Sequence, residues 1–226
     1  MRGAKNTQSG GLKYLSFMSG KFVQRVDENT TGATPRVLEK GKNSGQTVHE
    51  LHYDTYEGQI YKMQTEASEY GTRLHVFIDV STPEEPDSKV KLSLPFSSGP
   101  AKGLLSRLPK LVLSKDVELK GYYIKNDNTG RYNAYLVPYQ DGQKITPFYT
   151  KDEPNGLPQM KKIKVKGQDV WDDTEQLEFY QELINSTNWP GEPGVKAVEP
   201  EDFKDEPVEP QQEEQINPVK GGKLPF

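Results

Sequence analysis

Between residues 72 and 80 the chain reads Thr-Arg-Leu-His-Val-Phe-Ile-Asp-Val, with apolar and polar positions in alternation. Leu74, Val76, Ile78 and Val80 fall on one side, and Arg73, His75, Phe77 and Asp79 on the other. A period of two predicts a β-strand with one buried face. The opposite face is not plainly polar, because it sets a cation, an imidazole and a phenyl ring in a row. Related stretches flank it. Residues 13–26 alternate around Leu15 and Phe17, break at Ser19-Gly20, and resume in a shifted phase at Phe22, Gln24 and Val26. That shift predicts a strand bent by a bulge. Residues 47–65 are strand-like, and a turn over 66–71 joins them to 72–80 as a long antiparallel hairpin. Residues 89–96 alternate again, with Val90, Leu92, Leu94 and Phe96 inward and Lys89, Lys91 and Ser93 outward.

The later elements are shorter. Leu104, Leu105, Leu108 and Leu111 stand at helical spacing, and Pro109 interrupts them, so a short helix ending near Leu108 is expected. Residues 116–125 and 131–139 predict two more strands, joined by the turn-forming run Asn126-Asp127-Asn128-Thr129-Gly130. Residues 144–149 predict one further short strand. Two stretches read as loops. One is 27–46, a length that usually accompanies binding. The other is 150–169, which carries Lys161, Lys162, Lys164 and Lys166. Asp172-Asp173-Thr174-Glu175 is a helix start signal, with acidic residues in the first turn. It predicts a C-terminal helix over about 172–188.

The predicted strands are short and turn-bounded, with no long helical crossover between them, so antiparallel pairing is expected. Strand, hairpin, strand, short helix and closing hairpin is the element order of an OB-fold barrel. The expected class is therefore mainly β: a small antiparallel OB-fold-like barrel over residues 12–190, with one short internal helix and a C-terminal helix. Residues 1–11 read as a flexible lead-in. Residues 191–226, acidic and rich in proline, read as a disordered tail. A β-sandwich is the competing architecture.

Charge sharpens this division. The net charge is −4. Residues 1–166 carry 25 Lys and Arg against 18 Asp and Glu. Residues 167–190 carry six acidic and no basic side chains, and residues 191–226 carry four basic against nine acidic. A basic body followed by acidic segments fits a polyanion-binding domain with an acidic tail. No cysteine is present, which excludes disulfides, thiolate metal sites and a cysteine nucleophile. Mean hydropathy is −0.84, and no apolar run approaches the ~20 residues of a membrane span. The polar N-terminus is not a secretory signal. A cytoplasmic protein is expected, with no membrane partner.

Signals for catalysis are missing. His49 and His52 are three apart, on opposite faces of a strand, whereas the metalloprotease pattern needs a helical spacing of four. No nucleophile elbow, phosphate-binding loop or dinucleotide fingerprint occurs. Glu84-Glu85 and Asp172-Asp173 belong to a loop and a helix start. No catalytic residue, metal or cofactor is expected, and the chain reads as a non-enzyme.

The outward strand positions carry rings beside cations. On 131–139, Arg131, Asn133, Tyr135, Val137 and Tyr139 face away from Tyr132, Ala134 and Leu136. On 116–125, Lys120, Tyr122 and Ile124 face away from Val117, Leu119, Gly121 and Tyr123. Rings stack on unpaired bases at ~1–3 kcal/mol each, while Lys and Arg track phosphates. The candidate contacts are Arg73, His75, Phe77, Tyr122, Arg131, Tyr135 and Tyr139, supported by Arg36, Lys42, Lys62 and Lys91.

A basic, aromatic, OB-like body followed by an acidic proline-rich tail and a terminal Phe resembles single-stranded DNA-binding proteins of the bacteriophage type. The last residues, Leu224-Pro225-Phe226, are similar to the Ile-Pro-Phe tip of the bacterial proteins. This resemblance implies a protein that coats and protects single-stranded DNA during replication, recombination and repair, in the cytoplasm of a host bacterium. It also implies a tail that competes with DNA and recruits replication or recombination proteins, with Leu224, Pro225 and Phe226 docking on them. Lys220 and Lys223 stand where those families place acidic residues, and the acidity here lies upstream, over 199–214. A homo-oligomer is compatible with this layout. The competing function is a phage structural or assembly protein with a β-sandwich body and a disordered arm, which would ignore nucleic acid.

Overall fold

A computed structural model describes residues 12–127 and 129–191. The expected flexible lead-in, the acidic tail after residue 191 and the tip Leu224-Pro225-Phe226 lie outside the described residues. In chain order the elements are β1 (Lys13–Met18), β2 (Lys21–Val26), β3 (Thr34–Val37), β4 (Thr47–Tyr53), β5 (Thr55–Ser68), β6 (Gly71–Asp79) and β7 (Lys89–Pro95). Then come α1 (Gly99–Leu105), β8 (Val117–Lys125), β9 (Tyr132–Gln140), β10 (Gln143–Lys144), β11 (Lys161–Val165), β12 (Gln168–Asp172) and α2 (Thr174–Ser186).

Ten of these strands form one sheet in the order β10-β9-β8-β5-β6-β7-β1-β2-β4-β3, and β11 pairs with β12 alone. The mainly β class holds, but the expected small antiparallel barrel does not. The sheet is mixed, because β1 runs parallel to β7, and among the described residues no barrel closes. The cause lies at the N-terminus. The β1–β2 hairpin occupies the free edge of β7, so the sheet is extended where a closing strand would have paired.

Local chemistry explains the elements. Residues 13–26 are two strands, not one bulged strand. Ser19 and Gly20 both have positive φ, at 49° and 77°, which is the two-residue turn that suits the twist of a hairpin. The bulge sits instead in β5, between Ile60 and Lys62. The strand changes partner before the bulge, with Thr55–Gly58 paired to β8 and Gln59–Ser68 to β6. Of the expected strand over 144–149 only Lys144 is in a strand, as the second residue of β10. The stretch 27–46 is not all loop, because Thr34–Val37 pairs with β4. In α1 the Ser98 hydroxyl accepts from the Ala101 N–H, and Pro100 fits the first turn. The helix stops at Leu105, and Pro109 falls in a separate 3-10 turn. In α2 the expected start moves two residues on: Asp172 ends β12, and its carboxylate accepts from the Thr174 N–H and hydroxyl at 3.0 and 2.6 Å.

The core is the alternating set read from the sequence. Leu74, Val76 and Ile78 of β6 and Val90, Leu92 and Leu94 of β7 pack with Phe22, Ile60, Leu104, Leu119 and Leu136, all buried. Tyr180 and Ile184 of α2 complete it, and burial pushes the Tyr180 phenol up to about 12.

The sheet curls until the β1–β2 turn meets β8. A Cβ on Gly20 would lie 2.6 Å from the Tyr122 carbonyl carbon, and one on Gly121 would strike the Gly20 carbonyl oxygen. The Gly121 N–H donates to the Asp54 carbonyl at 3.0 Å, and Lys21 pairs with the Asp54 carboxylate at 3.2 Å. Only paired glycines allow this approach of two backbones.

Candidate nucleic-acid interface

Strand register builds a row across the outer side of the sheet, away from the core. Lys62 of β5 lies opposite Phe77 of β6. Phe77 lies opposite Lys91 of β7, and Lys91 beside Tyr14 of β1. The Lys62 ammonium stands 5.6 Å from the Phe77 ring centre. That of Lys91 stands 5.8 Å from both the Phe77 and the Tyr14 rings. Cations at this range are attracted to the ring faces. Tyr14 is 64% exposed and Phe77 is half-buried. Because of the bulge, Tyr61 packs against Phe77, with ring centres 6.0 Å apart. With strands ~4.8 Å apart, ring and cation alternate over about 14 Å.

The neighbouring row corrects one expectation. His75 is not on open surface: it is only 6% exposed. It sits mid-sheet, with its Nε2 2.9 Å from the Glu66 carboxylate, and its Nδ1 has no hydrogen-bond partner among the described residues. Arg73 beside it is spent on β7, its Nε donating to the Ser93 hydroxyl at 2.7 Å and its Nη2 to the Ser93 carbonyl at 3.1 Å. Glu66 also lies 3.7 Å from Lys91. Burial first, and then the Lys91 charge, hold the His75 pKa below the usual histidine value, against the pull of Glu66. The unfolded chain therefore takes up this proton first as pH falls. The stability tied to neutral His75 is present above the ordinary histidine value and is lost as pH falls toward the folded one. His75→Gln is expected to flatten the decline in urea midpoint between neutral and mildly acidic pH.

The other candidates form separate groups. Tyr122 and Tyr139 share a hydroxyl–hydroxyl bond of 2.9 Å, which raises the Tyr122 pKa. Lys120 stands 4.6 Å from the Tyr139 ring centre. Tyr135, 43% exposed, lies opposite Tyr122, and Arg131 is exposed where the hairpin loop enters β9. Glu57 and Glu118, opposite each other on β5 and β8, put acidic groups between this cluster and the β6–β7 row. Arg36 is not free. Its guanidinium donates twice to the Glu50 carboxylate, at 2.8 and 2.6 Å, and this holds the Glu50 pKa below the usual range. Glu50 is 1% exposed, so Arg36 neutralises a buried charge. Lys42 is exposed in the connection from β3 to β4, at the sheet edge.

The structure thus joins Lys62, Phe77 and Lys91, and adds Tyr14. It also exposes Tyr123 and Tyr132, which alternation assigns to the inner side. Their rings stack at 4.9 Å and 17°, because the β8–β9 hairpin runs on beyond the core. Among the described residues no three His, Asp or Glu side chains are grouped to hold a metal ion, and no helix is long and apolar enough to cross a membrane. No family model, curated protein or solved structure matches the chain.

Proposed function

We propose that this chain is a single-stranded DNA-binding protein, without enzymatic activity, whose strand-binding face is the outer side of β5, β6, β7 and β1. The observation that carries this reading is the row Lys62, Phe77, Lys91 and Tyr14, in which rings and ammonium groups alternate on the outer side of the sheet. Unpaired bases stack on the rings and phosphates meet the lysines, without sequence readout. Among the described residues Lys62 has no acidic partner, so its charge is available.

The fold supports the same reading. We read the order β9-β8-β5-β6-β7, with α1 between β7 and β8, as an OB-like unit opened along one seam, with β1 on the seam edge. In OB folds the face of the second and third strands binds oligonucleotides, and on this reading β6 and β7 take those places. Coating and protection of single strands follow from sequence-tolerant stacking. Recruitment of replication or recombination proteins is assigned to the acidic tail and its tip, Leu224, Pro225 and Phe226, in the cytoplasm of a host cell.

Ultraviolet cross-linking of oligo(dT) to the full chain, followed by peptide mapping, tests the placement. Adducts on Phe77 or Tyr14 are expected. Adducts confined to peptides outside β1 and β5–β7 would move the site elsewhere.

A further inference from the structure

The hairpin of β11 and β12 stands outside the ten-stranded sheet. All of β11 and the first four residues of β12 are exposed. Two strands with neither face covered are marginally stable by themselves. Here the base is fastened to α2, by a Lys161–Glu175 ion pair and by the Gln176 amide donating to the Pro158 carbonyl at 2.8 Å. The tip is a two-residue turn in which Lys166 and Gly167 both have positive φ.

The two faces of this arm differ. Ile163 lies opposite Val170, and with Val165 they make one face apolar. Lys162 lies opposite Trp171, and Lys164 opposite Asp169, on the other face. Trp171 is 61% exposed, and it makes no ring–ring or cation–ring contact among the described residues. Lys162 shares Asp169 at 2.9 Å, while Lys164 and Lys166 have no acidic partner among the described residues. The segment 161–172 carries four lysines against two aspartates, in a chain of net charge −4. An uncovered indole on the same face as Lys162 and Lys164 is suited to stacking on a base while the lysines hold the flanking phosphates. A protein partner drawn to the apolar face would leave the indole and the lysines without a role.

We infer that the β11–β12 hairpin is a second contact for single-stranded nucleic acid, with Trp171 stacking on a base and Lys162, Lys164 and Lys166 on neighbouring phosphates. This inference rests on the reading of the chain as a single-stranded DNA-binding protein. It adds to the sheet face an arm of separate origin in the chain.

The chain has two tryptophans, and the indole N–H of the part-buried Trp189 is held by the Ile184 carbonyl at 3.1 Å. Oligo(dT) titration of full-length wild type and of Trp189→Phe, followed by tryptophan emission, therefore reads Trp171. Quenching on binding is expected in both, and the wild type serves if Trp189→Phe does not fold. Trp171→Ala is expected to bind oligo(dT) roughly tenfold more weakly, with its melting temperature unchanged. Lys162→Ala with Lys164→Ala is expected to reduce the salt dependence of binding. If oligo(dT) binds with unchanged emission and Trp171→Ala keeps wild-type affinity, the arm is not a contact, and the sheet face stands. If Phe77→Ala keeps full affinity while Trp171→Ala loses it, the sheet face falls and the arm stands. If Trp171→Ala alters only the sedimentation coefficient, the arm is a protein contact and the inference fails.

Discussion

Replacing Gly121 by valine is expected to destabilise the fold by roughly 3 kcal/mol, at the upper end for an overpacked site. The reason is that both groups in the collision are backbone. The new Cβ would meet the Gly20 carbonyl, with the Phe17 ring 3.0 Å away. Gly20 cannot retreat, since its own Cα faces the backbone of Tyr122 and Tyr123. The Gly121 N–H bond to Asp54 would be strained at the same time. For a domain of this size the melting temperature should fall by roughly 10 °C. Gly71→Ala is the control: its φ is 98° but no atom of the described residues lies within 4 Å of the added carbon. It should cost only the backbone term, about 1–2 kcal/mol. Thermal and urea unfolding of both variants give the comparison. A Gly121→Val chain as stable as wild type would mean that the β1–β2 turn does not rest on β8.

Phe77→Ala is expected to weaken oligo(dT) binding by roughly tenfold or more, the loss of one stacked base at ~1–3 kcal/mol. The fold should survive, because Phe77 is half-buried on the outer side, while the core side of β6 is filled by Leu74, Val76 and Ile78. Lys62→Ala with Lys91→Ala is expected to act differently. Each lost phosphate contact on a single strand lowers the slope of log affinity against log salt by ~0.7, so Lys62 should account for about 0.7 and Lys91, which Glu66 partly neutralises, for less. The ring variant shifts the binding curve at every salt concentration, whereas the lysine variant changes how it moves with salt. Fluorescence anisotropy with labelled oligo(dT) over a salt series separates the two. Equal effects of both substitutions, or none from Phe77→Ala, would leave the row without a stacking role.

Much of the core is legible in the sequence because its strands are half-buried, and a period of two then marks the inner side directly. Residues 72–80 and 89–96 show this, and their inward positions all reach the core or its margin. The N-terminal hairpin is not legible for a geometric reason. A two-residue turn and a one-residue bulge both shift the apolar phase by one, so Phe17 and Phe22 fit either. The parallel pairing of β1 with β7 is a long-range choice that no local pattern encodes, and with it goes the position of Tyr14 beside Lys91. Alternation also reports side rather than exposure. His75 is on the predicted outer side, yet Glu66, Lys91 and Arg73 crowd it from β5, β7 and its own strand. Arg36 reads as a free cation until the register sets it beside Glu50. The β11–β12 arm alternates Lys-Ile-Lys-Val, but it buries neither side, so the pattern resembles a loop. The turn after β5 sets Lys62 beside Phe77, and the β6–β7 pairing sets Phe77 beside Lys91.

The most direct measurement is the affinity of the full chain for oligo(dT) beside that for a duplex of equal length, at low and at raised salt. Tighter binding of the single strand, weakening as salt rises, is expected of a face made of rings and ammonium groups. Equal or tighter binding of the duplex, or an affinity indifferent to salt, would contradict it.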